Sequence, residues 1–389
     1  MTRMPKRSRE GDAGMSTHSE MTVGAPSKQL AREVLIHGPI SRAELGRRLG
    51  LSPASLTRLT RPLFDAGLFM DAPESGERVV GRPTKPVDVR IDAQRYIGIK
   101  LTGVELFGVG TDLRANPDVD DVEPLAGHSP EQVVAAAARL VGRLGGPIGV
   151  SAVGVTVGGK VTDARRVVRA PFLGWHDVDL ADMLERELGV PVVLENDVVA
   201  LTAAEHWFGV AKGVENFSVV TIGAGVGYGL VIHDRPVVTA DTGLGLGGHF
   251  PLDPTGPLCG DGHRGCSSAM LAIPHLRATA RAALGRPVGY EELLGLFDAG
   301  DPVAVEIVGA ALRALGRMIA ASANLSMVDT VVLSGEGLAL IDGRLHLVQA
   351  AVLADRDGDA SPVRILLDDS GFGAWARGAA AVAVQASFG

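Results

Sequence analysis

Apolar residues recur at helical spacing three times near the front of the chain. In SKQLAREVLIHG, Leu30, Val34 and Leu35 share one face and Gly38-Pro39 ends the pattern. In SRAELGRRLG, Ser41 and Glu44 have capping-box spacing, and Leu45 and Leu49 lie one turn apart. After a short turn, Ser52 and Pro53 form an N-cap and first-turn pair for PASLTRLTRPLFDAG, which turns Leu56, Leu59 and Leu63 inward. The stretch GLFMDAPESGERVVGRPTKPVDVR then reads as strand, polar turn and strand. Three helices with a tight second turn, followed by such a hairpin, form a winged helix-turn-helix over residues 25–90. Residues 1–24 lack apolar periodicity and read as a disordered tail. From residue 91 onward, Gly- and Val-rich strands alternate with Ala- and Leu-rich helices, an α/β pattern long enough for two lobes.

Composition places this chain among soluble globular proteins, with 46% hydrophobic and 21% charged residues. No apolar run reaches the roughly 18 residues that span a bilayer, and the basic start leads into polar sequence rather than a signal-peptide core. With 2 cysteines in 389 residues, a reducing compartment, the cytoplasm, is expected. The net charge of −8 is unevenly shared. Residues 1–90 carry 15 Lys and Arg against 10 Asp and Glu, which leaves 22 against 35 for the remainder. A basic front domain points toward nucleic acid.

The outward residues of the third helix are Ser55, Thr57, Arg58 and Arg61, short hydroxyls and guanidinium groups suited to phosphates and guanine edges in a major groove. Arg82, between Gly81 and Pro83 in the hairpin turn, is placed to enter a minor groove. Pro62 removes a helical N–H and disfavours helical geometry at Arg61, so a kink or early end is expected there, which ranks Arg58 above Arg61 as the base reader.

Four later stretches carry a resemblance. They are APFLGWHDVDLADMLERELGVPVVLENDVVALTAAEHWFG, VVTIGAGVGYGLVI, GGHFPLDPTGPLCGDGHRGCSS and VDTVVLSGEG, which occur in this order. Together they are similar to the ROK family of repressors and sugar kinases, and the likeness runs over residues 27–389. The resemblance implies a two-lobed actin-like, sugar-kinase (ribonuclease H-like) α/β fold, with lobe one at about 91–196 plus the C-terminal end and lobe two at about 197–370. It also implies a ligand cleft between the lobes.

The family's kinase motifs are only partly kept. Where kinases of this type resemble one another in Asp-x-Gly-Gly-Thr, GIKLTG puts Lys100, Thr102 and Val104 at the Asp, first Gly and Thr positions and retains only Gly103. A lysine cannot organise Mg²⁺ as a carboxylate does. The Gly-rich IGAGVGYG, with Gly223, Gly225, Gly227 and Gly229, keeps the form of a phosphate loop but reads equally as a turn that needs positive φ angles. SGEG, Ser334 to Gly337, resembles the adenosine-side turn. Asn196 and Asp197 match residues that grip sugar hydroxyls in relatives, the Asp as general base, and Asp197 also suits the cap of the following helix. The family's Glu-x-Gly-His and Gly-Cys-x-Glu become LGGH and GCSS, with Leu246 and Ser268 in place of two acids. Any ligand is therefore expected on Asn196, Asp197, His249 and neighbouring backbone, or is not a standard hexose.

Both cysteines lie in one loop. Members of the family resemble one another in a zinc site of one His and three Cys, and the matching positions are His249, Cys259, Asp261 and Cys266. A carboxylate is an acceptable zinc donor, and His263 is a spare imidazole that could replace Asp261. An empty loop with two free thiols is the alternative.

These readings converge on a DNA-binding transcriptional regulator, a repressor of carbohydrate-related genes, with a non-catalytic ROK domain that binds an effector and oligomerises. The expected partners are an imperfect-palindrome DNA operator, a sugar or sugar-phosphate effector and a second or further copies in a homodimer or homotetramer, with no membrane and with structural zinc. Two competing readings are an ATP-dependent sugar kinase with an appended winged helix, and a ligand-independent dimerisation scaffold.

Overall fold

The computed structural model of the chain describes residues 25–73, 85–146 and 148–388. The tail at 1–24 and the hairpin turn with Arg82 lie outside them. Helices α1 (Ala25–His37), α2 (Arg42–Leu49) and α3 (Pro53–Asp65) precede strands β1 (Phe69–Asp71) and β2 (Val87–Val89), which pair antiparallel with Phe69 opposite Val89. Ser41 caps α2 through the Glu44 amide at 3.1 Å, but Glu44 does not complete the expected box, because its carboxylate pairs with Arg47 and Arg48. Gly50 closes α2 at φ 63°, a left-handed turn that glycine adopts without a Cβ clash. The third helix does not stop at Pro62. It continues to Asp65, and the Ala66 amide donates to the Pro62 carbonyl at 3.0 Å. Pro62 and Arg58 both lie on the exposed face, so water can satisfy the Arg58 carbonyl that has lost its helical donor.

The next unit is a mixed sheet. It comprises β3 (Tyr96–Leu101), β4 (Glu105–Thr111), β5 (Pro117–Pro124), helix α4 (Pro130–Leu144), β6 (Ala152–Val157), a small antiparallel sheet of β7 (Lys160–Thr162), β8 (Arg166–Ala170) and β9 (Trp175–Val178), then α5 (Leu180–Leu188) and β10 (Val192–Asn196). The five main strands run in the order β10-β6-β3-β4-β5. Helix α6 (Asp197–Trp207) leads to the second sheet, whose first strands are β11 (Phe217–Ile222), β12 (Val226–Ile232) and β13 (Arg235–Pro236). Helices α7 (Ser267–Leu271), α8 (Ile273–Leu284), α9 (Tyr290–Asp298) and α10 (Pro302–Ser326) follow, then β14 (Thr330–Ser334), α11 (Leu345–Ala354), β15 (Arg364–Leu367) and the closing α12 (Gly373–Phe388). This sheet is ordered β13-β12-β11-β14-β15.

Each sheet has its own apolar core, and a third core joins the front domain to the rest. In it Leu30, Val34, Leu45, Leu56 and Leu63 pack with Tyr96, Leu113, Trp207, Val384 and Phe388. Arg114 pins this joint, donating to the carbonyls of Leu35 at 3.0 Å and Gly38 at 3.1 Å and pairing with Asp88. The Arg32 guanidinium lies 4.9 Å from the Trp207 ring centre. The C-terminal helix returns to the first sheet, where only glycine leaves room for it. A Cβ on Gly98 would sit 1.9 Å from the Ala376 carbonyl oxygen, and one on Gly154 1.8 Å from that of Ala379. No helix is long and apolar enough to cross a membrane among the described residues.

Candidate functional site

A cavity of about 840 Å³ lies between the sheets, lined by the end of β3, the start of α6, the β11–β12 turn and the segment from Pro236 to Gly247. Strand β10 delivers Asn196 and Asp197 to its floor. Asn196, not Asp197, is the cap of α6: its Oδ1 accepts from the amides of Val198 at 3.0 Å and Val199 at 3.2 Å. Its Nδ2 donates to the Gly159 carbonyl at 2.9 Å, so most of its hydrogen-bonding capacity is already used. Asp197 is the first helical residue. One oxygen accepts from the Val198 amide at 2.9 Å, and the other pairs with the Lys100 ammonium.

Lys100 reaches this carboxylate from β3. It is buried and its Nζ stands 5.2 Å from the Trp375 ring centre. The floor of the cleft is therefore neutralised from within. The Lys100 cation holds the Asp197 carboxylate, and a carboxylate must be free of such a partner to accept a proton as a general base. Val104, 71% exposed, lies in a β3–β4 turn closed by Thr102, whose Oγ1 accepts from the Glu105 amide at 3.0 Å.

The Gly-rich turn is also internally satisfied. The Glu336 carboxylate accepts from the Ala224 amide at 2.8 Å, and a Cβ on Gly223 would meet Glu336 within 2.5 Å. An anion of the chain itself thus sits on an amide that a phosphate oxygen would need. The glycines of this stretch do not serve positive φ angles, since none of the four has one. Gly227 and Gly229 instead let β12 approach α6, where added Cβ atoms would fall 2.5 Å from Val198 and 2.1 Å from Thr202. Glu336 was missed as a site residue at the sequence level, although an acid inside the glycine turn SGEG was the available signal.

Leu246 is 66% exposed in the cavity wall, and Ser268 lies on α7 beneath Gly248. His249 lines the same cavity and faces a second cluster behind it. Its Nδ1 is 3.8 Å from the Cys259 sulfur, 3.9 Å from the Cys266 sulfur and 3.2 Å from the His263 Nδ1, which is itself 3.6 Å from Cys259. The hairpin from Leu258 to Arg264 makes this convergence, with a Cys259 amide to His263 carbonyl bond at 2.9 Å. Gly265 must be glycine there, because a Cβ would fall 1.6 Å from the Asp253 carbonyl oxygen.

Asp261 is not on the sulfur side. Its Oδ2 lies 3.2 Å from the other ring nitrogen of His249, Nε2, so the expected fourth donor is displaced and His263 takes its place at the cluster. Burial pushes the Cys259 thiol up, but hydrogen bonds from the amides of Asp261 and His263 and from the His263 ring bring it down to about 6. Burial raises Cys266.

On the front domain, Thr57, Arg58 and Arg61 are exposed on α3 and Ser55 is half-buried. The hydroxyls are engaged locally: Ser55 Oγ lies 3.0 Å from Ser52 Oγ, and Thr57 donates to the Pro53 carbonyl at 2.9 Å. Arg61 stands 3.7 Å from Asp65. Arg58 has no side-chain partner among the described residues.

The ROK family model matches residues 122–386. This chain belongs to the ROK family. Its two sheets with helices on their faces form the actin-like, ribonuclease H-like fold of that family. The chain is 28% identical over 279 residues to the xylose repressor of Bacillus subtilis (strain 168), covering 70% of this chain and 72% of the repressor. The crystal structure of a ROK family transcriptional regulator, described as a homolog of the E. coli MLC protein, superposes with TM-score 0.79 at 22% identity, over 94% of this chain and 96% of that one. The ROK hexokinase of Thermus thermophilus superposes with TM-score 0.63 at 31% identity, over 75% of this chain and 99% of the hexokinase. The family thus joins regulators and kinases, and the cleft chemistry must distinguish them.

Removing the internal cation tests that chemistry. Lys100→Ala leaves the Asp197 carboxylate, with 17% of its side chain exposed, without its ion-pair partner. The expected cost is about 2–3 kcal/mol in urea unfolding, and pairing the change with Asp197→Ala should cost less than the sum of the two. An unchanged unfolding midpoint in the single variant would show that the pair carries no energy.

Proposed function

We propose that this ROK protein is a cytoplasmic DNA-binding transcriptional regulator, a repressor of carbohydrate-related genes, whose ROK domain senses a sugar-like or sugar-phosphate effector without transferring phosphate. The observation that carries the reading is Arg58 on the exposed face of α3, without a side-chain partner among the described residues, in a helix-turn-helix packed on the cleft-bearing body. Its relatives include proteins named xylose repressor and DNA-binding transcriptional repressor Mlc. In this reading α3 enters a major groove with Arg58 as base reader, Ser55, Thr57 and Arg61 meet phosphates, and Arg82 in the wing enters the minor groove. A homodimer or homotetramer places two such helices on one face of an imperfect palindrome.

Arg58→Ala should weaken binding to the operator recovered from the protein's own genome by about 1–3 kcal/mol and relax preference at one position per half-site. Fluorescence anisotropy at physiological salt measures both. Equal affinity in the combined Arg58→Ala and Arg82→Ala protein would refute the reading.

The absence of kinase activity is inferred from the Lys100–Asp197 pair and from Glu336 on the Gly-rich turn. General-base help is worth about 10²–10⁴-fold and does not replace a metal-phosphate site. Coupled assays with ATP and glucose, N-acetylglucosamine or N-acetylmannosamine should show no turnover. Turnover that disappears in Asp197→Asn would overturn this.

The loop cluster fits structural zinc. Tetrahedral zinc with N and S donors needs ligand atoms about 3.3–3.8 Å apart, close to the separations seen around His249 Nδ1. His249, Cys259 and His263 offer donor atoms within 4.8 Å of one another, and Cys266, 3.9 Å from His249 Nδ1, is the fourth donor in this reading. The Asp261 carboxylate stands 3.2 Å from His249 Nε2, placed as an outer carboxylate that would orient a metal-bound imidazole. Elemental analysis should find one zinc per chain, with His263→Ala losing most of it and Asp261→Asn retaining it at about 10- to 100-fold lower affinity. Less than about a tenth of an equivalent in the parent would remove zinc from the reading.

A further inference from the structure

The floor and the rim of the cleft differ in chemistry. The floor is polar, made by Asn196, Asp197 and Lys100, while the rim carries Phe172, 68% exposed, Val238, 57%, Val237, 47%, Leu244, 42%, and Leu246, 66%. All five line the one cavity of about 840 Å³. Single exposed apolar residues are ordinary on a protein surface, but five lining one concave site give it an apolar wall, which water covers at a cost that a ligand relieves.

Phe172 relates the two zones geometrically. A Cβ placed on Gly158 would lie 3.6 Å from two carbons of the Phe172 ring and 3.4 Å from Asp197 Oδ2, so the ring edge and the carboxylate border the same small space. A ligand group that donates a hydroxyl to Asp197 has the Phe172 ring as its immediate neighbour. The lone pairs of Asp197 accept hydroxyls, and an aromatic face offers stacking to a flat apolar group next to them.

We propose that the effector of this cleft is a glycoside with an aromatic aglycone, its sugar hydroxyls on the Asn196–Asp197 floor and its ring between Phe172 and the wall formed by Val238 and Leu246. The proposal rests on the reading of the ROK domain as a sensor and names the ligand class for it. A free hexose would leave the apolar wall wet, and a plain arene would leave the polar floor without its hydroxyl partners.

The test is calorimetry on the full chain with phenyl, methyl and octyl glycosides of glucose, galactose and xylose, the free sugars, and phenol. For at least one sugar, the phenyl glycoside should bind 10-fold or more tightly than the methyl glycoside and the free sugar. Phe172→Ala and, separately, Leu246→Ala should each cut that preference at least threefold while thermal stability is kept, since both side chains are largely exposed. Equal affinity of phenyl and methyl glycosides, tighter binding of the octyl glycoside, or phenol binding as well as the glycoside overturns the proposal. No binding by any compound, in protein that still binds its operator, also overturns it and leaves the regulator reading standing. Failure of the unliganded protein to bind operator refutes that reading instead, whatever the glycosides do.

Discussion

The contact on which the molecule depends is the approach of the C-terminal helix to the first sheet. Helix α12 lies so close to β3 and β6 that its carbonyls occupy the space of any Cβ at Gly98 or Gly154, and a Cβ at Gly378 would stand 3.0 Å from the α6 backbone. Its own sequence makes this possible, because Ala374, Ala376, Gly378, Ala379, Ala380, Ala381 and Ala383 present almost no side-chain bulk. Interiors pack near crystal density, so a helix of small residues can be sandwiched between a sheet and another helix only where the facing residues are equally small. The end of the same helix, through Val384 and Phe388, contributes to the core that holds the three front helices. One element therefore sets the positions of the first sheet, of α6 and of the front domain.

Two consequences meet in the cleft. Trp375 on α12, Lys100 on β3 and Asp197 at the start of α6 come together because those three elements are packed against one another, and the resulting ion pair occupies the place where a free base would be. A buried charge pair is retained at a desolvation cost, and removing either partner exposes that cost in full. Helix α6 runs from this pair to Trp207, which stacks under Arg32 of α1. Its ends thus lie in the cleft and at the joint with the domain that carries Arg58, while its buried sides, Thr202 and Ala200, are contacted by Gly229 and Gly378. The carbonyl contacts of Arg114 with α1 stiffen the same joint.

Behind the cleft the loop cluster illustrates how backbone geometry chooses among chemically similar residues. Asp261 and His263 are two residues apart and both near His249, yet the hairpin hydrogen bond between Cys259 and His263 turns one to each edge of the imidazole. Spacing along the chain could not separate them, because a tight turn with Gly262 at φ 83° reverses direction between the two positions.

The sequence by itself determined the elements with strong local signals: three helices with Ser41 and Ser52 as caps, the paired strands that follow, the α/β alternation and the family to which the motifs belong. Each of these follows from periodicity, capping or composition, which act over a few residues. It also placed Arg58 on an outward face, because helical spacing alone decides that. The tertiary structure decided what distant segments do to one another. Lys100 neutralises Asp197 across 97 positions and Glu336 covers Ala224 across 112, and neither pairing has a local signature. The cap of α6 fell to Asn196, the glycines of the second motif served helix packing rather than positive φ, and Pro62 failed to end α3. The glycines follow from burying groups together, an energy that exceeds the few tenths to one kcal/mol by which most local preferences differ, whereas Pro62 is accommodated because its exposed face lets water satisfy the freed carbonyl.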